Sequence, residues 1–203
     1  MKKKALVLAG GLPQIKLINE LKSRGYYVIL VDYSLSPIAE RFADKFYRES
    51  TLDVPMVTQI AIKENADIII TCCTDQALST VSSVSAKLGL PCYIDERTGL
   101  SVTNKKEMKS ILYANRIPTS RFVITDNSDI DIDLKYPVVV KPVDCNSSKG
   151  VTKVYSESEL KQTISDSISY SRGKNAIVEE YVEGKEVSVD AFVVEGKVHL
   201  LCT

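Results

Sequence analysis

Two clusters between Pro137 and Glu186 carry residue types that can hold a nucleotide. The first is Pro137-Val138-Val139-Val140-Lys141-Pro142, followed by Val143-Asp144-Cys145-Asn146-Ser147-Ser148-Lys149-Gly150-Val151. A β-branched run of this kind reads as a strand, and it brings a single lysine to its end. A triphosphate needs its charge neutralised, and Lys141 offers a fixed cation. The small residues of 143–150 let consecutive backbone N–H groups approach phosphate oxygens, and Ser147 and Ser148 add hydroxyl donors. The loop is not a Walker loop, because G-x-x-x-x-G-K-[ST] is absent.

The second cluster is Ile177-Val178-Glu179-Glu180-Tyr181-Val182-Glu183-Gly184-Lys185-Glu186-Val187. A strand over 176–181 ends in an acidic hinge, and a second strand is expected over 186–194. Adenine needs backbone donors and acceptors in an extended segment plus an acid near its exocyclic amine, and residues 179–182 can supply both. Glu186 could accept hydrogen bonds from both ribose hydroxyls. Strand alternation would set Glu186, Ser188 and Asp190 on one face, opposite Val187, Val189 and Ala191. Taken singly, a strand ending in Lys-Pro also fits a surface turn, and the polar face also fits a solvated strand. The two clusters together favour a nucleotide site.

The elements that must position these residues fall into two regimes. Over residues 1–97 strands alternate with helices: an apolar run at 5–9, Gly10-Gly11, a helical stretch bearing Ile15, Ile18 and Leu21, and a strand at 27–31 ending at Asp32. Helical spacing returns at 56–65, a strand at 67–71, a helix at 76–88 and an extended path at 91–94. That order predicts an open α/β domain with a parallel sheet. Beyond it a helix over 104–115, with Asn104 as N-cap, leads into strands at 121–124, 138–141 and 151–155. Ser156 and Glu159 form a capping-box pattern for a helix over 157–169. Glu195-Gly196 reads as a hairpin turn, with its return strand at 197–202. The acidic connector 126–133 lacks the glycine and terminal glutamate of a calcium loop.

Composition sets the outer limits. The 203 residues carry 26 basic and 26 acidic side chains, so no net field draws the protein to nucleic acid or to a membrane. No run is long enough to span a bilayer, and the apolar run after Lys2-Lys3-Lys4 is too short for a signal peptide. A cytoplasmic protein is expected. Five cysteines with no C-x-x-C pair, and a single histidine, give no metal-site spacing, and reduced thiols are expected.

Together the two clusters resemble the ATP-grasp superfamily, in the manner of carbamoyl phosphate synthetase, biotin carboxylase and D-alanine–D-alanine ligase. The segment Leu88-Gly89-Leu90-Pro91 and the pair Ile117-Pro118 look most like the carbamoyl-phosphate-synthetase branch. The resemblance implies a pre-ATP-grasp α/β domain over 1–97 and the first part of an α+β ATP-grasp domain over 98–203, incomplete at its C-terminus. It implies that Lys141 contacts the α-phosphate and the adenine side, and that Ser147 and Ser148 belong to the loop over the β- and γ-phosphates. Glu179 would meet the adenine amine, the backbone of Glu180 and Val182 the ring edge, and Glu186 the ribose. Lys105, in an Asn104-Lys105 pair where relatives have Asp-Lys, would be a second phosphate contact. Asn146 stands where many relatives have glycine.

The same resemblance places the acceptor-substrate pocket near Gly10, Gly11 and Asp75, beside Asp32 and Thr74. It implies an ADP-forming ligase that activates a carboxylate as an acyl-phosphate for attack by an amine or another nucleophile. Its cofactors would be ATP and Mg2+, with the metal ligands and the catalytic arginine expected beyond residue 203. On that basis the intact parent is expected to bind adenine nucleotides, and the 203-residue chain to show no turnover. Small-molecule carboxylate and amine partners are implied, and a homodimer stays open. Two other readings remain. One is a nicotinamide-dependent oxidoreductase, since Gly10-Gly11 followed by Asp32 imitates a dinucleotide fingerprint, although Gly10-Gly11-Leu12-Pro13-Gln14 is not G-x-G-x-x-G. The other is a non-catalytic nucleotide-binding module.

Overall fold

The computed structural model describes residues 2–146 and 148–202. Its first half is the expected α/β layer. Strand β1 (Lys4–Leu8) leads through α1 (Leu12–Ser23) to β2 (Tyr27–Asp32). A short 3-10 turn at Glu40–Phe42 precedes β3 (Lys45–Arg48), α2 (Val54–Glu64), β4 (Ile68–Ile70) and α3 (Asp75–Leu88). The sheet order is β3-β2-β1-β4, with every pair parallel. Burial on both faces explains why β1 and β2 read as continuous apolar runs. Leu6, Leu8, Ile29 and Val31 pack with Val57, Ile60, Val81 and Val84 of α2 and α3. Ala5, Val7, Val28 and Leu30 pack with Ile18 and Leu21 of α1.

Two features of this half were not expected. Strand β3 carries only a half-buried KFYR segment, too short to show a period. The segment 91–94 forms no strand, and α4 (Glu96–Thr103) follows it. This helix lies tight against α3: a Cβ on Gly99 would sit 2.2 Å from Ser82 Oγ. Cys72 and Cys73 lie just beyond β4 in a bend, and all five cysteines are free thiols.

The second half begins at α5 (Lys105–Ala114), capped as expected by Asn104, whose side chain accepts from the backbone N–H of Lys106 and Glu107. Then come β5 (Phe122–Thr125), β6 (Val138–Pro142), β7 (Thr152–Val154), α6 (Glu157–Tyr170) and β8 (Ala176–Glu180). They form a sheet of order β5-β8-β6-β7 in which every pair is antiparallel. Val138, Val140, Val154, Ala176 and Val178 bury one face against Leu160 and Ile164 of α6. The capping box of α6 does not form. Ser156 Oγ turns to Ser158 Oγ at 3.0 Å, and Glu159 reaches Tyr155 N–H, because hydroxyl side chains find competing local partners.

A hairpin of β9 (Asp190–Val194) and β10 (Lys197–Cys202) ends the described residues, its strands joined at Glu195-Gly196, both at positive φ. Positive φ at both central residues is the two-residue turn matched to strand twist. The strand expected over 186–194 begins only at Asp190. Among the described residues its ladder ends at the Asp190–Cys202 pair and Glu186 pairs with no strand; residues 185–189 are irregular and exposed. Among the described residues no helix is long and apolar enough to cross a membrane.

Candidate functional site

Strand register decides what meets on the second sheet. Val139 lies opposite Glu179, and Lys141 lies opposite Ile177. Directly paired residues share a face, so Lys141 and Glu179 stand together on the face turned away from α6. Lys141 Nζ lies 3.0 Å from Glu179 Oε2. Helix α5 adds two more lysines to this face, Lys105 and Lys109, one turn apart. Lys105 is tied to the end of β6: its N–H donates to Val143 O at 2.8 Å and its Nζ to Cys145 O at 2.6 Å. Burial pushes the Lys105 ammonium below its ordinary value, and the nearby Lys141 charge pushes the same way.

Lys109 is buried. Its Nζ donates to Ser120 Oγ at 2.9 Å and to Thr119 Oγ1, and it lies 3.3 Å from Glu179 Oε1. That approach is an ion pair by distance only; Glu179 Oε1 accepts no hydrogen bond among the described residues. Glu179 is 8% exposed, so this oxygen is a buried acceptor in want of an N–H.

The loop 143–150 is fixed at its root. Buried Asp144 accepts from Gly173 N–H at 2.8 Å and from Arg172 N–H at 3.2 Å, which staples the loop to the turn after α6. Gly150 has φ +68, and a Cβ there would meet the Tyr170 ring at 2.8 Å and Pro142 Cγ at 2.9 Å. Only glycine suits both the conformation and the space. Ser148 is exposed, also at positive φ; Ser147 lies outside the described residues.

At the hinge, the Glu180 carboxylate is engaged by Arg121 Nη1 at 3.2 Å and Lys135 N–H at 3.0 Å, and its backbone N–H donates to Arg121 O at 3.0 Å. Tyr181 N–H closes the ladder on Pro137 O at 3.0 Å, and Val182 beyond it is exposed. Lys153 of β7 places Nζ 3.3 Å from the centroid of the Tyr181 ring, a close cation–π contact on the hinge. The sequence reading missed Lys109 and Lys153. Helical spacing from Lys105 was the one available signal for the former.

Gly10 and Gly11 line a cavity of about 470 Å³ at the carboxyl edge of the parallel sheet, with Ser34, Thr51, Thr74 and Gln76. Gly10 is required by the close approach of Pro37, whose Cβ would stand 2.5 Å from an added Cβ. Asp75, the first residue of α3, is next to this lining but not part of it. Asp32 spends both oxygens on backbone: Gly10 N–H and Ser34 N–H each donate to it at 2.7 Å. The acid that a dinucleotide fingerprint would offer to ribose is therefore already engaged. Gln76 Nε2 also donates to Asp144 O at 3.3 Å, joining this cavity to the root of the loop on the second sheet.

A family model described as the ATP-grasp domain matches residues 134–203, from just before β6 to the end of the hairpin. The chain belongs to the ATP-grasp superfamily. The formate-dependent phosphoribosylglycinamide formyltransferase of Sulfurisphaera tokodaii is 31% identical over 190 residues, which cover 89% of this chain and 47% of that protein. Among solved ATP-grasp-like folds, the L-amino acid ligase of Bacillus licheniformis superimposes with a TM-score of 0.75 at 21% identity, covering 98% of this chain and 50% of the ligase. The N5-carboxyaminoimidazole synthetase of Staphylococcus aureus, complexed with ADP, gives a TM-score of 0.76 at 18% identity over 99% of this chain and 54% of its own. The chain spans about half the length of the curated relatives that match 89% of it. Among the described residues no group of three or more histidine, cysteine or carboxylate side chains is arranged to hold a metal ion.

Proposed function

We propose that this chain is the ATP-binding portion of an ADP-forming ATP-grasp ligase that acts in the cytoplasm on a small carboxylate and an amine or other nucleophile. One observation carries the reading: a buried glutamate, Glu179, keeps an unsatisfied oxygen beside two lysines on the sheet face that α6 does not cover. The exocyclic amine of adenine is an N–H donor of the kind that this oxygen lacks.

In this reading Glu179 Oε1 accepts from that amine, and the backbone of Glu180 and Val182 meets the ring edge. Lys141 turns from Glu179 to the phosphates. Lys105 does the same from Cys145 O, with the loop 143–150, including Ser147 and Ser148, closing over them. Glu186 holds the ribose once its exposed segment orders on the ligand. Bound ATP supplies an electrophilic γ-phosphorus. A carboxylate oxygen attacks it, the bond to the bridging oxygen breaks, and ADP leaves; the nucleophile then displaces phosphate from the acyl carbon and gives up a proton. The acceptor would sit in the cavity near Gly10, Gly11 and Asp75, which Gln76 holds against the loop. The name of the Sulfurisphaera relative, a formate-dependent enzyme, agrees with a small carboxylate. Among the described residues the carboxylates form no cluster that would hold Mg2+.

Isothermal titration of the 203-residue chain with ATP, ADP and NAD tests the reading. ATP and ADP are expected to bind and NAD to give no heat. Tight NAD binding without ATP binding overturns it in favour of the oxidoreductase.

A further inference from the structure

Lys109 carries an ammonium into the polar face of the second sheet while only 5% exposed. A buried charge is tolerated when it is both paired and hydrogen-bonded. Its partners are Ser120 Oγ, Thr119 Oγ1 and the Glu179 carboxylate, with the Phe122 ring 5.4 Å away on the apolar side. Glu179 thus stands between two lysines of unlike freedom. The Lys141 side chain is 24% exposed, and among the described residues its ammonium bonds to Glu179 alone. The Lys109 side chain is 7% exposed and fastened to two hydroxyls. The other cations of this face are engaged elsewhere: Lys105 with Cys145 O, and Lys153 on the Tyr181 ring.

A phosphate can compete with Glu179 for Lys141, but it cannot reach Lys109 behind Ser120 and Thr119. We propose that Lys109 is a positioning residue, the standing counter-charge of Glu179 that frees Lys141 to leave the carboxylate for a nucleotide phosphate. The inference rests on the nucleotide site proposed above. Without Lys109, moving Lys141 would leave a buried carboxylate with no cation, so Lys141 would stay where it is.

Inorganic triphosphate, which has no base or ribose, reads the freedom of Lys141 directly. Calorimetry on the 203-residue chain compares wild type, Lys109→Met, Lys109→Arg, Glu179→Gln and the Lys109→Met/Glu179→Gln pair, each checked for a native melting transition. Lys109→Met should weaken triphosphate binding about tenfold, a typical coupling for contacting groups, and Lys109→Arg should restore it. Adding Glu179→Gln to Lys109→Met should bring the affinity back, because a neutral amide no longer retains Lys141. A purely structural role would not produce that recovery. Unchanged affinity in Lys109→Met, or a double variant as weak as Lys109→Met, overturns the inference. Should Lys109→Met alone fail to fold, the double variant is compared with Glu179→Gln, and equal affinities are expected; a further loss counts against the proposal. Wild type that binds neither ATP nor triphosphate overturns the nucleotide site itself, a result distinct from a binding wild type with an indifferent Lys109 variant.

Discussion

Lys141 and Glu179, from adjacent antiparallel strands, form an ion pair of 3.0 Å on the face of the second sheet that α6 does not cover. In the nucleotide site proposed above, the pair would have to part for Lys141 to reach a phosphate. Lys141→Ala should weaken ATP binding by about ten- to a hundredfold, since a charge-assisted contact contributes about 1.5–3 kcal/mol. The fold should tolerate the change, because Lys109 remains beside Glu179. Glu186→Ala should weaken ATP but leave inorganic triphosphate unaffected, and Ser148→Ala should be milder than either, since the backbone donors of the loop persist. Titration calorimetry reads all three, and undiminished ATP affinity in the Lys141 variant would remove the basis of the assignment.

A pH series tests Lys105. Burial and the Lys141 charge lower its folded value, so the unfolded chain binds more protons in the window between the two values. Stability therefore rises as pH climbs through the folded value. Phosphate contact favours the protonated form instead. ATP affinity should fall as pH climbs through that same value, beginning below the ordinary lysine range. Lys105→Arg keeps its charge throughout and should hold affinity level as pH climbs to the ordinary lysine value. A wild-type protein with level affinity over that range would contradict the phosphate contact.

Away from the nucleotide face, Glu64 is buried at the rim of the first sheet, with Lys45 Nζ at 2.6 Å and the Tyr47 hydroxyl bonded to the same oxygen. Hydrogen bonds from Lys45 and Tyr47 hold its carboxyl below the usual range. Its contribution to stability is thus present at neutral pH and lost as pH falls through that lowered value. Glu64→Gln should cost about 1–2 kcal/mol near pH 7, at the low end for a charged hydrogen bond because Lys45 is partly exposed. The difference should shrink in acid, with ATP affinity unchanged. Urea unfolding at the two pH values measures it; an equal loss at both would show that the charge is not the cause.

By itself the sequence determined what is local. Alternating apolar runs and helical periods gave a parallel α/β layer before residue 97, and Asn104 announced the start of α5 through its own side chain. Lys141 and Glu179 were legible because each lies at the end of a strand whose composition is unambiguous. Short or marginal elements were not: β3 has too few residues for a period, and α4 begins just before the change in composition. The tertiary structure alone decided which charge meets which. Lys109 finds Glu179 seventy residues away, Asp32 is spent on Gly10 and Ser34, Gln76 joins the cavity to the loop, and the hairpin strand begins at Asp190, beyond Glu186. Periodicity and caps arise within a few residues of chain, whereas the partner of a buried charge is set by sheet order and register between distant strands, which no local pattern encodes.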